Sequence, residues 1–154
     1  MSFPFIGITM GDPAGVGPEI IAKFFGSDET RSFNCVVFGS PEIINNSLIK
    51  ENVNLSIKVI NSNHDIKPIK DGLLVFETSS IGGEFQFGKV SANCGRVAYD
   101  SIVKAIDAAN TGFLKAIVTA PINKFSLREA SVQYIGHTEM LSHFSKTPKV
   151  FMLM

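Results

Sequence analysis

Phe5-Ile6-Gly7-Ile8-Thr9-Met10-Gly11-Asp12-Pro13-Ala14-Gly15-Val16-Gly17-Pro18-Glu19 is the stretch that settles the fold class. Residues 5–10 form a short apolar run, the pattern of a strand buried on both faces of a parallel sheet. A glycine-rich turn follows at once. Pro18 suits a first helical position, where its missing N–H would be unpaired anyway. Glu19 suits the positive end of the helix dipole. Ile20, Ile21, Phe24 and Phe25 then supply an apolar helix face, and Gly26 is a plausible stop. Strand, glycine loop and helix in this order are one unit of an α/β sheet.

The alternation continues along the chain. Residues 34–39 read as a second buried strand. Ser40 reads as an N-cap with Pro41 at the first helical position of a helix reaching about Leu48. Residues 55–60 alternate apolar and polar, as a half-buried or edge strand does. A polar loop spans 61–70, a further strand 72–77, and a glycine-bearing irregular segment 79–93. The clearest helix covers 95–111. Tyr99, Ile102, Val103, Ile106 and Ala109 or Asn110 recur at helical spacing, and Arg96, Asp100, Lys104 and Asp107 fill the other face. Gly112 closes it. A strand at 116–119 runs into Ala120-Pro121, a short helix follows over 125–130, and Thr138 is placed to cap a helix over 139–144. Residues 149–154 begin another apolar strand, so we expect a truncated chain, because exposed apolar strand ends invite misassociation. The fold class is therefore α/β with a largely parallel sheet and flanking helices.

Composition narrows the function. Of 154 residues, 45% are apolar, and 14 basic residues balance 14 acidic ones. That excludes disorder and argues against a nucleic-acid partner, which would call for a basic excess. The apolar runs are too short for a membrane span, and the N-terminus lacks the features of a signal peptide. Two cysteines, Cys35 and Cys94, are too few for a disulfide framework and read as reduced thiols in a cytoplasmic protein.

Three stretches carry candidate chemistry. Gly11 to Glu19 lies at the carboxyl end of a strand, where α/β sheets bind ligands. Its glycines permit close backbone approach, and the helix start offers N–H groups to an anion. It is neither a dinucleotide fingerprint nor a P-loop. A tight turn packing helix on strand, with Asp12 bonded to its own backbone, is the structural alternative. Thr119-Ala120-Pro121-Ile122-Asn123-Lys124 also follows a strand, and Lys124 could neutralise a phosphate or carboxylate or simply be solvated. Gly136-His137-Thr138-Glu139 places an imidazole and a hydroxyl at a loop-to-helix junction. His137 could bond an anion or orient a proton relay; alternatively Thr138 caps the helix and His137 is exposed. His64 lies in a polar loop, and His143 faces away from His137, so no metal-ligand spacing arises. HExxH, CxxC and GxSxG are absent.

Together these motifs resemble the 4-hydroxythreonine-4-phosphate dehydrogenases, the PdxA type, of pyridoxal phosphate synthesis. The resemblance covers almost the whole chain, apart from an undistinctive middle at about 50–87. It implies an isocitrate/isopropylmalate dehydrogenase-like fold with two α/β domains and a cleft between them. Residues 1–130 would belong to the first domain, and 131–154 would open the second. It further implies a homodimer that passes a hydride from the 3-hydroxyl carbon of 4-phosphohydroxy-L-threonine to NAD or NADP, followed by decarboxylation. A divalent metal, zinc, magnesium or cobalt, would polarise the hydroxyl oxygen. His137 and Thr138 would contact substrate, and Gly11, Asp12 and Lys124 would form an active-site loop. The family is about twice as long, and its metal histidines lie beyond this chain's end; none of the three histidines here aligns with one.

Two alternatives stay open. One is a paralogous dehydrogenase of threonate or erythronate phosphates. The other is a non-catalytic phosphate-binding module.

Overall fold

The computed structural model describes residues 4–27 and 33–147. In chain order the elements are β1 (Phe5–Thr9), α1 (Gly17–Phe25), β2 (Asn34–Gly39), α2 (Pro41–Lys50), β3 (Ile57–Ile60), a turn of 3-10 helix (Asn63–Asp65), β4 (Leu73–Glu77), α3 (Ala92–Asn110), β5 (Ala116–Thr119), α4 (Lys124–Glu129) and α5 (His137–Phe144). The strands form one five-stranded sheet in the order β3-β4-β2-β1-β5. Every pair is parallel, with Gly7 of β1 opposite Val36 of β2 and Ile117 of β5. The α/β expectation holds. Among the described residues the half-buried strand is an edge: β3 pairs with β4 alone.

Alternation along the strands divides the core. Ile8, Met10, Val37 and Val75 point to one face, where Ile21 and Ala22 of α1 and Ile43, Ile44 and Leu48 of α2 cover them. Val36, Phe38, Leu74 and Phe76 point to the other, under Ala105 and Ala108 of α3 and Leu114. Phe38 and Phe76 stack there with centroids 5.1 Å apart. Burying a side chain of this size stabilises the fold by roughly 1.5–3 kcal/mol. A third cluster joins Ile102 and Ile106 of α3 to Leu127 of α4 and Met140 of α5. It fixes the two C-terminal helices against the sheet layer.

Several boundaries and faces differ from the sequence reading. Helix α3 starts at Ala92 rather than at 95, because the Ser91 hydroxyl accepts a hydrogen bond from the Cys94 N–H. Of the expected face, Ile102 and Ile106 are buried, while Tyr99 and Val103 are only half-buried; the buried surface also includes Val97 and the small residues Gly95, Ala98, Ser101 and Ala105. The helix is covered by the sheet on one side and by α4 and α5 on the other, which widens the buried arc. Asp100, expected on the outer face, is half-buried; burial pushes its carboxyl up, opposed by the Ser79 hydroxyl and by Arg96 and Lys104. On α1 the expected apolar face splits. Ile21 and Ala22 are buried, whereas Ile20 and Phe24 face outward, because one turn separates them along a different stripe. Pro18 is the second helical residue and not the first. Helix α4 begins one residue early, at Lys124. The strand expected at 149–154 lies outside the described residues. Among the described residues no helix is long and apolar enough to cross a membrane.

Candidate functional site

The chain leaves β1 toward β2 on one side, and β5 lies on the other. The carboxyl ends of β1 and β5 therefore flank a topological switch point, the crevice where open α/β sheets hold ligands. The 11–16 loop and the 120–124 loop meet there. Gly11 has φ +74°, and a Cβ on it would lie 2.3 Å from the Pro121 carbonyl oxygen. The Asp12 N–H donates to that same oxygen at 2.9 Å.

Asp12 is buried and acts as a turn-former. Its Oδ1 accepts from the Ala14 N–H at 2.7 Å, and its carbonyl accepts from the Gly15 N–H at 3.0 Å. The segment after β4 joins from the far side, where the Gly88 N–H donates to the Ala14 carbonyl at 2.8 Å. Between these loops lies a cavity of about 540 Å³ lined by Asp12, Val16, Lys89, Ile122, Lys124 and Phe125, among others.

Lys124 opens α4, whose N-terminus is capped by Asn123: the side-chain oxygen accepts from the Phe125 and Ser126 N–H groups at 2.9 and 3.2 Å. The Lys124 side chain runs toward Gly136, the residue before α5. Its Cε lies 3.8 Å from where a side chain on Gly136 would begin, and the Glu139 carboxylate lies 3.5 Å from the same point. Neither Lys89 nor Lys124 forms an ion pair among the described residues.

His137 is the first residue of α5. Its ring sits against the Ala120 backbone, which favours the protonated form, but burial is the larger effect and pushes the imidazole below its ordinary value. Nε2 is buried and has no hydrogen-bond partner among the described residues. An orphaned buried nitrogen in a crevice demands an explanation, and a bound ligand is one. Gly136 occupies the cap position without a side-chain bond. Thr138 is thus not the cap: it lies inside the first turn and is exposed. The helix begins earlier than Thr138 because extended Gly136 can supply the cap carbonyl, which accepts from the Met140 N–H.

The structure therefore brings Gly11, Asp12, Lys124, His137 and Thr138 to one end of the sheet. The other histidines stay apart. His64 meets the Phe113 ring edge-on, and His143 packs with Tyr134 and Phe144. Both cysteines are free, and burial pushes both thiols up, away from thiolate chemistry. Among the described residues no group of three His, Cys, Asp or Glu could hold a metal ion. Sequence reasoning missed Lys89, Asn123 and the role of Ala120. Asn123 carried a signal, being a good cap residue before a helix. Lys89 carried none, since an irregular segment has no period to place it.

Known proteins resemble this chain in sequence and in fold. The profile of the family described as pyridoxal phosphate biosynthetic protein PdxA matches residues 31–154. A chain from Clostridium botulinum, provisionally named a D-threonate 4-phosphate dehydrogenase, is 40% identical over 146 residues, covering 94% of this chain and 44% of that one. The 4-hydroxythreonine-4-phosphate dehydrogenase of Beijerinckia indica is 38% identical over 150 residues, covering 97% of this chain and 44% of its own length. The crystal structure of a 4-hydroxythreonine-4-phosphate dehydrogenase from Burkholderia phymatum aligns with a TM-score of 0.88 at 31% identity, over 97% of this chain and 46% of that one. The chain spans less than half the length of the relatives it matches.

Proposed function

Because this chain belongs to the PdxA family, we propose that it is the N-terminal part of an NAD(P)-dependent 4-hydroxythreonine-4-phosphate dehydrogenase. The fold is the isocitrate/isopropylmalate dehydrogenase-like α/β fold of its structural neighbours. In this reading residues 1–130 belong to the first domain and 131–154 open the second. The enzyme is a cytoplasmic homodimer of the vitamin B6 pathway. Its substrate is 4-phosphohydroxy-L-threonine.

The single observation that carries the reading is the unpartnered Nε2 of His137 at the switch point, beside Lys124 and the uncapped start of α5. Burial favours the neutral imidazole, so Nε2 can accept a hydrogen bond from a substrate hydroxyl, or donate to an oxyanion once protonated. Thr138 adds a hydroxyl beside the free N–H groups of the first turn, which attract negative charge. Lys124 supplies a compact positive charge. The described residues do not make a divalent-metal site; in this reading the metal is held by the region that the longer relatives possess. The nicotinamide, when bound, would supply the hydride acceptor.

A second reading rests on the relative named for D-threonate 4-phosphate, which is 40% identical against 38% for the 4-hydroxythreonine-4-phosphate dehydrogenase. Both are tested by assaying nicotinamide reduction by the family-length enzyme with 4-phosphohydroxy-L-threonine, D-threonate 4-phosphate and D-erythronate 4-phosphate. The first substrate should give the highest kcat/KM, and His137→Gln should lower it about 100-fold or more. Preference for D-threonate 4-phosphate would move the assignment to the second reading. An unchanged kcat/KM in His137→Gln would remove His137 from the site.

A further inference from the structure

Helix α4 has only six residues, too few to hold itself together, yet it carries Lys124 at its first position. Its place is fixed from outside, and the fixings meet at Ser126. Ser126 is fully buried. Its hydroxyl accepts a hydrogen bond from the Ser91 N–H at 3.3 Å, and its own N–H donates to the Asn123 side chain at 3.2 Å. Its carbonyl lies against Gly95, within the space that a side chain there would fill. Ser91 is the N-cap of α3, and its hydroxyl is engaged with the Cys94 N–H. The Ser91 N–H lies ahead of the helix, so no helical carbonyl takes it; the Ser126 hydroxyl does. One buried hydroxyl thus ties the start of α4 to the start of α3.

We infer that Ser126 is a positioning residue for the proposed reaction: it holds the start of α4, and with it Lys124, beside Gly136 and His137. The inference rests on the dehydrogenase reading and adds to it a residue that acts through another. Lys124 is exposed and has a flexible four-carbon stem, so the backbone at the start of α4 sets the space that its ammonium can reach. With that backbone held, the Lys124 Cε stands 3.8 Å from where a Gly136 side chain would begin. The next residue, Leu127, packs with Met140 of α5, so the turn that Ser126 anchors also braces the helix that opens with His137. Without the hydroxyl, the Ser91 N–H loses its partner and the first turn of α4 is free to shift. A misplacement of about 1 Å in a positioning group can cost about 100-fold in rate.

The test is a double-mutant cycle in the family-length enzyme, assayed with whichever of the phosphorylated substrates named above the wild type turns over. Ser126→Ala, Lys124→Gln and the double variant are compared with wild type, and melting curves establish that each is folded. Ser126→Ala should raise KM about tenfold while kcat stays within about twofold of wild type, as loss of uniform substrate binding does. Lys124→Gln should do the same. In the Lys124→Gln background, Ser126→Ala should change nothing further, because the two residues act as one. A hydroxyl that only stabilised the chain would instead lower kcat, through the folded fraction, at unchanged KM. Ser126→Cys keeps a weak acceptor of similar shape and should fall between wild type and Ser126→Ala; it carries the test where Ser126→Ala does not fold. An unchanged KM on loss of the hydroxyl, or effects that multiply independently in the double variant, overturns the inference and leaves the dehydrogenase reading intact. Absence of turnover by the wild type with all of the substrates overturns the reading and the inference with it.

Discussion

His137 experiences two opposed influences on its proton, and burial outweighs the Ala120 backbone. The folded chain therefore binds this proton less readily than the unfolded chain, whose imidazole titrates near the ordinary 6.5. Stability from the neutral imidazole is complete above that value and is lost as pH falls through the lower folded one. Urea midpoints measured across about pH 5 to 7 should fall on the acid side in wild type and fall less in His137→Gln. The same slope in both proteins would show that burial of this ring does not govern the proton. Gly11 is a second residue-scale constraint. A left-handed φ disfavours any Cβ, by about 1–2 kcal/mol, and here the Cβ would also strike the Pro121 carbonyl. Gly11→Ala should destabilise the chain by about 2 kcal/mol or more, read as a lower urea midpoint at unchanged m-value. A smaller loss would mean that the 120–124 loop yields freely.

At the scale of elements, the crossing of α3 and α4 sets where Lys124 stands relative to Gly136. Gly95 lies in the interior of α3, where alanine would be favoured by about 1 kcal/mol on helix propensity alone. Its missing side chain instead makes room for α4: a Cβ there would lie 2.0 Å from the Ser126 carbonyl oxygen and 2.8 Å from the Leu127 nitrogen. Both obstacles are backbone, so no rotamer change relieves them. Overpacking of this kind costs about 1–3 kcal/mol or more and exceeds the propensity gain. Gly95→Ala should therefore lower stability and, by pushing α4 outward, separate Lys124 from Gly136. A thermal melt gives the first sign, and backbone amide shifts at 124 and 136 give the second. A stabilised Gly95→Ala would mean that the crossing is looser than these distances state.

For the whole molecule, the proposed reaction needs a divalent metal, for which the described residues supply no site, and the relatives extend well beyond the stretch that this chain matches. The 154-residue chain alone should show no nicotinamide reduction with 4-phosphohydroxy-L-threonine and added magnesium, zinc or cobalt, while the family-length enzyme turns over. Full activity of the short chain would refute this division of labour. Sequence by itself determined the alternation of strands and helices, the parallel sheet, the half-buried or edge character of β3 and the three loops worth watching. These follow from short-range patterns: apolar runs, caps and glycine turns that each segment carries on its own. Only the tertiary structure decided that Asp12 folds onto its own loop, that Ile20 and Phe24 face outward, that Gly95 is a helix crossing and that Lys89 shares a cavity with Lys124. Each of these depends on how helices dock on the sheet. That docking brings together residues far apart in the chain, and no local period records it.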